Sequence, residues 1–200
     1  MKKTLPLFLL LTMALAAAPP GYVVNNGSAS ITVVDLGTRQ VLGLINVGAS
    51  PSELLILPDN RTGFVTEAGG VVRRLNLKQG VSVTTITVGD TPGSLVATPD
   101  SLFLYVANEG SNDVSVVDIT KNMEVKRIPV GVTPVQVNMR PDGKFVYAVN
   151  QDSNSISVID TSTNTVVSTV AVGTKPNQFG IDPAQTRAYI PNKEIGRAHV

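Results

Sequence analysis

The amino-acid sequence predicts an all-β protein built from repeats of four short antiparallel strands, and three observations lead to this prediction. A Val-Gly-x-x-Pro phrase occurs four times, with spacings of 41, 42 and 42 residues. Between the phrases, apolar and polar residues alternate in short runs separated by Gly, Pro, Asn and Asp, which is typical of strands and turns. These runs lack the 3.6-residue apolar period of a helix. A repeat of this length predicts units that bury their apolar faces against their neighbours.

Each repeat divides into four strands, most clearly between Pro134 and Gly173. The alternation predicts strands over residues 135–139, 145–149, 156–160 and 166–172. A Pro-Asp-Gly turn follows the first strand, where Pro sets φ and Gly supplies a positive φ. Four short strands per unit, with no room for a helix between them, predict a blade of a β-propeller, a fold that hides strand edges by closing into a ring.

The other repeats carry the same landmarks. The second strand contains an aromatic residue in each repeat: Tyr22, Phe64, Tyr105, Tyr147 and Tyr189. The third strand ends on Asp or Asn: Asp35, Asn76, Asp118 and Asp160. We expect the carboxylates of the three Asp residues to accept backbone N–H groups in the following turns, with calcium binding as the alternative. The loop glycines are expected to provide backbone conformation, and phosphate binding is the weaker alternative because no helix follows them. These glycines are Gly48, Gly89, Gly131 and Gly173.

The motifs of the third repeat resemble a known repeat class. Tyr105-Val106-Ala107-Asn108, Val114 to Asp118, Ile128 to Gly131 and, in the next repeat, Pro141-Asp142-Gly143 resemble the YVTN-type β-propeller repeat of exported bacterial and archaeal proteins. The resemblance covers residues 22–193 and implies a propeller of usually seven blades. Its superfamily includes lactonase-like proteins, surface-layer proteins and propeller domains of redox enzymes, so it does not imply one activity. We expect the chain to hold about four of the seven blades and to lack the C-terminal part.

The first sixteen residues are predicted to be a signal peptide. Lys2 and Lys3 precede an apolar run that ends in small residues, and Ala14 and Ala16 satisfy the small-x-small cleavage rule. The run is shorter than the roughly 20 residues of a spanning helix, so we expect no stable membrane span after cleavage. The sequence has no cysteine, which is compatible with export without disulfides. The protein is therefore expected to be periplasmic or secreted.

Residues 194–200 do not continue the repeat. They resemble the translation of a sequencing-library adaptor, so we expect a non-native tail, with residues 17–193 forming the partial propeller. The tail contains His199, the single histidine of the sequence. The formal net charge of the whole chain is +1, which gives no electrostatic reason to expect a nucleic acid partner.

One position in each repeat is a candidate binding site. It lies two residues after the loop proline, is polar in four repeats and begins the innermost strand, so its side chains are expected to ring the mouth of the central channel. The residues are Glu53, Ser94, Gln136 and Gln178. The alternative is a solvated channel lining that binds no ligand.

The second repeat departs from the others and carries a second candidate site. Glu67 replaces the usual Asn, Gly69-Gly70 shortens the turn, and Arg74 stands where the other repeats have Val. A buried Arg needs a partner, and Glu67 is the nearest carboxylate in sequence. Either a local bulge turns Arg74 outward, or Glu67, Arg73 and Arg74 form a site.

These features favour an exported, non-catalytic propeller that acts as a binding or surface-interaction module. The partner would be a small molecule, a protein or a surface component, and we expect a monomer when the protein is full length. No catalytic or metal-binding residues and no cofactor are predicted, because the recurring residues belong to turns and core. The alternative is a lactonase-like hydrolase, or the propeller domain of a redox enzyme, whose active-site residues lie in the missing C-terminal part.

Overall fold

The computed structural model describes residues 20–182 and 187–193, and these residues form strands together with one three-residue 3-10 turn. The predicted signal peptide, residues 183–186 and the predicted non-native tail lie outside the described residues. Within the described ranges, no helix is both long enough and apolar enough to cross a bilayer.

The strands form successive antiparallel sheets, which we call blades 1 to 5 in chain order. Blade 1 comprises β1 (Pro20–Asn25), β2 (Ser30–Asp35) and β3 (Gln40–Asn46). Blade 2 comprises β4 (Leu54–Ile56), β5 (Thr62–Glu67), β6 (Val71–Asn76) and β7 (Val81–Thr87). Blade 3 comprises β8 (Pro92–Ala97), β9 (Phe103–Asn108), β10 (Asp113–Asp118) and β11 (Met123–Pro129). Blade 4 comprises β12 (Pro134–Met139), β13 (Phe145–Asn150), β14 (Ser155–Asp160) and β15 (Thr165–Ala171). Blade 5 shows β16 (Gly180–Ile181) and β17 (Ala188–Tyr189).

The prediction of four-stranded blades is confirmed. Each strand of blades 2 to 4 pairs with the next one along the chain, and the four strands predicted for blade 4 occur within one residue of the expected bounds. The sheets form an open series, as expected for part of a propeller, and the fold is all-β.

The apolar core lies between blades and not within them. One cluster fills each of the four spaces between successive blades. The second-strand aromatic residue of each blade faces the following blade: Phe64 packs with Leu104 and Val106 of blade 3, and Tyr105 packs with Val146 of blade 4. A blade therefore buries its apolar faces only against its neighbours, which is the physical basis of repeat cooperativity.

Blade 1 leaves one such face uncovered in the described part of the chain. Val23 and Leu36 of blade 1 are 53% and 59% exposed, whereas Val65 and Leu77 occupy the same positions of blade 2 and are 0% and 6% exposed. The outer face of blade 1 thus has the composition of a blade interface.

The fourth strands β7, β11 and β15, and β3 as the equivalent strand of blade 1, each contain a bulge at the same position. One residue of the fourth strand is left without a partner on the third strand. The residues are Leu42, Val83, Val125 and Val167. Bulges increase twist and hinder pairing at an exposed edge. The bulge of blade 2 therefore recurs in blades 1, 3 and 4 and is not particular to the repeat that contains Arg74.

Candidate functional site

The Val-Gly-x-x-Pro loops and the turns between second and third strands lie at one end of the blades, which we call the upper face. In blade 3, the amide of Glu109 donates to the carbonyl of Thr91 at 3.0 Å, and the amide of Gly110 donates to that of Asp90 at 3.0 Å. The loop that leaves blade 3 binds the same turn, because the amide of Thr133 donates to Asn112 Oδ1 at 2.8 Å. Each turn is thus held between the loop that enters its blade and the loop that leaves it.

The loop glycines are required by close packing, and the prediction that backbone conformation explains them is wrong. Positive φ values fall instead on the residue before each loop proline, such as Thr91 and Thr133 at 52° and 54°. A Cβ at Gly131 would lie 2.7 Å from Cγ of Asn150, closer than real Cβ contacts allow. The same crowding occurs at Gly89, where a Cβ would lie 2.6 Å from Cγ of Asn108.

The Asn at the end of the second strand ties that strand to the third. Asn108 Nδ2 donates to Asp113 Oδ1 at 2.6 Å and to Ser115 Oγ at 2.8 Å. Asn150 makes the equivalent bonds to the hydroxyls of Ser155 and Ser157 in blade 4. These fully buried amides stabilise the upper ends of blades 3 and 4.

Two of the predicted channel residues are neighbours. Glu53 precedes β4, and its carboxyl group lies near the Ser94 hydroxyl and the Leu95 amide of β8. Burial raises the pKa of the Glu53 carboxyl, and these two neighbouring donors lower it in part. Ser94 is buried in β8, and its Oγ accepts a hydrogen bond from the Val137 amide of β12 at 3.3 Å. The inner parts of blades 2, 3 and 4 are therefore connected through the Ser94 hydroxyl.

The other two predicted channel residues lie in blades 4 and 5. Gln136 is half-buried in β12, beside an irregularity in strand register, and its Oε1 is buried with no hydrogen-bond partner among the described residues. Gln178 is exposed and precedes β16 of blade 5. The contacts of the described residues join Glu53 and Ser94 to the strand that carries Gln136, and they do not include Gln178.

Glu109 also lies against the inner strands, and the sequence analysis missed it. A Cβ at Gly93 would meet Glu109 Oε1 at 2.7 Å, so this carboxyl lies directly beside the inner strand of its own blade. Burial raises its pKa. The same position in blades 1 and 4 carries Asn26 and Gln151, whose amides donate to the carbonyls of the next loop prolines. An ionised carboxyl cannot donate in this way, so the substitution itself could have indicated a different role.

Glu67 pairs with Arg73, and not with Arg74 as expected from the sequence. Arg73 Nε and Nη2 lie 2.5 and 2.9 Å from the two carboxyl oxygens of Glu67, which is 3% exposed. Glu67 Oε1 also accepts a hydrogen bond from the amide of Gly48 at 2.7 Å. Strand register places Glu67 and Arg73 at the positions of Asn108 and Ser115, so an ion pair replaces the amide–hydroxyl pair of blade 3.

Arg74 points into the space between blades 2 and 3. Its Nη1 donates to Asn122 Oδ1 at 2.8 Å and to the carbonyl of Ile119 at 3.2 Å, and its guanidinium lies 6.0 Å from the centre of the Phe64 ring. The expectation that a bulge turns it outward is wrong, and Glu67, Arg73 and Arg74 do not form one cluster. Arg74 instead connects two blades.

The Asp residues that end the third strands hold the following turns. Asp118 Oδ1 accepts hydrogen bonds from the amides of Thr120 and Lys121 at 2.9 and 3.0 Å. The Lys121 ammonium and the Thr120 hydroxyl hold the pKa of the Asp118 carboxyl well below its usual range. Across residues 20–182 and 187–193, no group of three or more His, Cys, Asp or Glu residues is arranged to hold a metal ion.

Four-stranded blades, cores between blades and hydrogen-bonded loops around the inner strands define a protein of the β-propeller class. The chain belongs to the family described as "Lactonase, 7-bladed beta-propeller", whose model matches residues 62–173, more than half of the sequence. A search of curated proteins finds no match.

A solved structure described as Kuenenia stuttgartiensis hydrazine synthase is similar to this chain. The TM-score is 0.80 and the sequence identity is 25%. The match covers 86% of this chain and 52% of that one, so this chain spans about half the length of the structure it matches. Both comparisons agree with the propeller part of the resemblance, whereas the YVTN-type repeat stays a prediction.

Proposed function

We propose that this chain is part of an exported, non-catalytic propeller that binds a ligand at the channel mouth. One observation carries the proposal: the Ser94 hydroxyl lies beside the carboxyl group of Glu53 and accepts a hydrogen bond from the Val137 amide of β12. Side chains from different blades are thereby held in fixed relative positions. Such preorganisation favours recognition because it reduces the ordering cost of binding.

The ligand would offer hydrogen-bond donors. Glu53 presents carboxyl oxygens, and Gln136 Oε1 is a buried acceptor without a partner in the described part of the chain. Leaving a buried acceptor unsatisfied costs about 1–3 kcal/mol, so a donor group placed there would bind favourably. Gln178 would extend the site into blade 5, and Glu109 lies beside the same inner strands.

Export is part of the proposal and has its own test. The Lys-Lys start and the small residues before position 17 support cleavage after Ala16, which would deliver the protein to the periplasm or the medium. N-terminal sequencing of the secreted or periplasmic protein should begin at Ala17. Recovery of the intact leader in the cytoplasmic fraction would contradict export.

The binding proposal is tested in the full-length protein with Glu53→Ala and Gln136→Ala. Small molecules that copurify with the native protein would be identified by mass spectrometry and titrated back by calorimetry. We expect each substitution to weaken binding at least several-fold, while the exposed-strand control Thr85→Ala leaves it unchanged. Unchanged binding of every identified molecule in both variants would refute the channel-mouth site.

A lactonase-like hydrolase is the second candidate, and the family match favours it. In that case the active-site residues would lie in the part of the protein beyond this chain, as could those of a redox enzyme. Hydrolysis of δ-valerolactone by the full-length protein, followed by pH-stat titration, distinguishes the two. Turnover that is saturable and proportional to enzyme concentration would overturn the non-catalytic proposal.

A further inference from the structure

A cleft between blades 3 and 4 is open where the corresponding places of blades 2 and 3 are filled. It has a volume of about 340 Å³, and hydroxyl groups from Ser153, Ser155, Ser157 and Thr169 line it. That volume lies at the lower end of the range of about 300–1,000 Å³ that is usual for small-molecule sites. The cleft lies on the outer part of the blades and is a different site from the channel mouth.

The strand registers identify the equivalent residues of the three blades. Equivalent third-strand positions are Arg73, Ser115 and Ser157. Equivalent fourth-strand positions are Thr85, Arg127 and Thr169, and near the start of that strand Ser82, Glu124 and Val166. The contents of one place can therefore be compared in three blades.

In blade 2 this place holds the guanidinium of Arg73. Its Nη1 donates to Ser82 Oγ at 3.0 Å, and its Nη2 lies 3.1 Å from the position that a Cβ of Gly48 would take. Gly48 corresponds to Gly131, which lines the cleft of blade 4. The charge of Arg73 is balanced by Glu67.

In blade 3 a different arginine, Arg127 of the fourth strand, stands opposite Ser115, which occupies the position of Arg73. Arg127 Nε and Nη2 donate to the two carboxyl oxygens of Glu124 at 3.1 and 3.0 Å, and Nε lies 3.9 Å from Asp113 Oδ2. Although the arginine comes from another strand, the result is the same as in blade 2. A planar group with several hydrogen-bond donors occupies the space, with carboxylates beside it.

Blade 4 keeps the hydrogen-bonding groups but not the charges. Ser157 and Thr169 replace the arginines, and Asn150, Ser155 and Val166 replace the carboxylates. A charged ligand would lose its hydration without a counter-charge in the lining, which makes a neutral ligand more favourable. Hydroxyl groups both donate and accept hydrogen bonds.

The orientation of two buried hydroxyls is set by Asn150. Its Nδ2 donates to Ser155 Oγ at 3.2 Å and to Ser157 Oγ at 2.9 Å. Both serines thus accept from the protein. The hydroxyl hydrogen of Ser157 can be directed to a ligand oxygen, whereas Ser155 Oγ also shares a hydrogen bond with Ser153 Oγ at 3.1 Å. Pro129, Val130 and Val166 supply an apolar wall to the same cleft.

We propose that this cleft binds a neutral polyhydroxylated molecule, a monosaccharide or one sugar unit of a glycan. The sugar takes the place that guanidinium groups occupy in blades 2 and 3. Its hydroxyls exchange hydrogen bonds with Ser155, Ser157 and Thr169, and its C–H face packs on the apolar wall. The proposal does not depend on the channel-mouth function.

The test titrates the full-length protein with D-glucose, D-galactose and N-acetyl-D-glucosamine. A β-1,4-linked oligomer of the same sugar is titrated in parallel. Binding is followed by NMR through the shifts of the backbone amides. At least one sugar should cause saturable shifts centred on Gly131, Ser157 and Thr169. Tighter binding of the oligomer would identify a glycan as the source, and equal binding would identify the free sugar.

Thr169→Arg places a guanidinium in the cleft, as in blade 3, and should weaken binding at least tenfold. Thr85→Arg is the matched control in blade 2, where Arg73 already fills the place, and should leave binding unchanged.

Several results would overturn the proposal. These are the absence of saturable shifts with all the sugars, undiminished binding by Thr169→Arg, and saturable binding of guanidinium chloride in place of sugars. If Thr169→Arg lowers the melting temperature markedly, Ser157→Ala should still weaken sugar binding several-fold in a folded protein. Glu53→Ala must leave sugar binding unchanged, because its loss there would place the sugar at the channel mouth.

Discussion

The Glu67–Arg73 pair can be exchanged for the neutral pair of the next blade, and this is the sharpest test of the structure. Replacing Arg73 by Ser leaves the carboxyl of Glu67 buried without its counter-charge. Loss of one partner of a buried pair costs about 3–5 kcal/mol, and we expect about 3 kcal/mol because Arg73 is 22% exposed and water can enter where it stood. Replacing Glu67 by Asn leaves Arg73, which can turn to solvent, and should cost about 1–2 kcal/mol.

The double variant Glu67→Asn/Arg73→Ser recreates the arrangement of Asn108 and Ser115 in blade 3. Its stability should lie within about 1 kcal/mol of the original protein, because both buried groups again have partners. The double-mutant cycle would then show a coupling of at least about 2 kcal/mol. Urea unfolding of the full-length protein, followed by circular dichroism with all four proteins in one buffer, gives the values. Additive effects of the two substitutions would refute the equivalence of the two positions.

Three further predictions follow from the packing, the turns and the open face. Gly131→Ala should destabilise the protein by about 1–3 kcal/mol through overpacking, whereas Gly27→Ala, where an added Cβ meets no atom within 4 Å, should change the melting temperature little. Lys121 holds the pKa of the Asp118 carboxyl below its ordinary value, so Asp118 stabilises the fold at any pH above that ordinary pKa, and this contribution is lost as the pH falls through the lowered pKa. Asp118→Asn should therefore reduce the fall of the urea midpoint between pH 5 and pH 2. An unchanged fall of the midpoint in the variant would contradict this prediction. The 200-residue chain made alone should self-associate through the uncovered face of blade 1, and Val23→Glu should reduce the association seen by sedimentation velocity; a monodisperse monomer of the original chain would contradict this.

The strands and the order of the blades could be predicted from the sequence because their signals are local. Alternation, the Pro-Asp turns and the recurring aromatic residue each depend on a few neighbouring residues, and the observed strands of blade 4 follow them closely. The facing direction of Phe64 and Tyr105 is the same in both blades because they stand at one position of a repeated strand.

The site contacts could not be predicted as well, because they depend on groups far apart in the sequence. The bond between Ser94 and the Val137 amide joins residues separated by 43 positions, and neither residue is unusual for its strand. The partner of Glu67 could have been predicted from the sequence. Arg73 and Arg74 point to opposite faces of one strand, and aligning the shortened turn would have placed Arg73 opposite Val65, on the same face as Glu67 and diagonal to it.

The forward orientation of the second-strand aromatic residue makes every blade asymmetric. Blades 2 to 4 each present an aromatic side to the successor and an aliphatic side to the predecessor, so these units join head to tail, as in a heterologous ring. Blade 5 differs, because its Phe179 stacks on Tyr147 of blade 4. Two aliphatic sides are not complementary in the way that an aromatic and an aliphatic side are. Insertion of a whole unit between blades 2 and 4 would therefore keep the aromatic-to-aliphatic packing at its junctions, and it would disturb only contacts particular to one junction, such as the bond from Arg74 to Asn122.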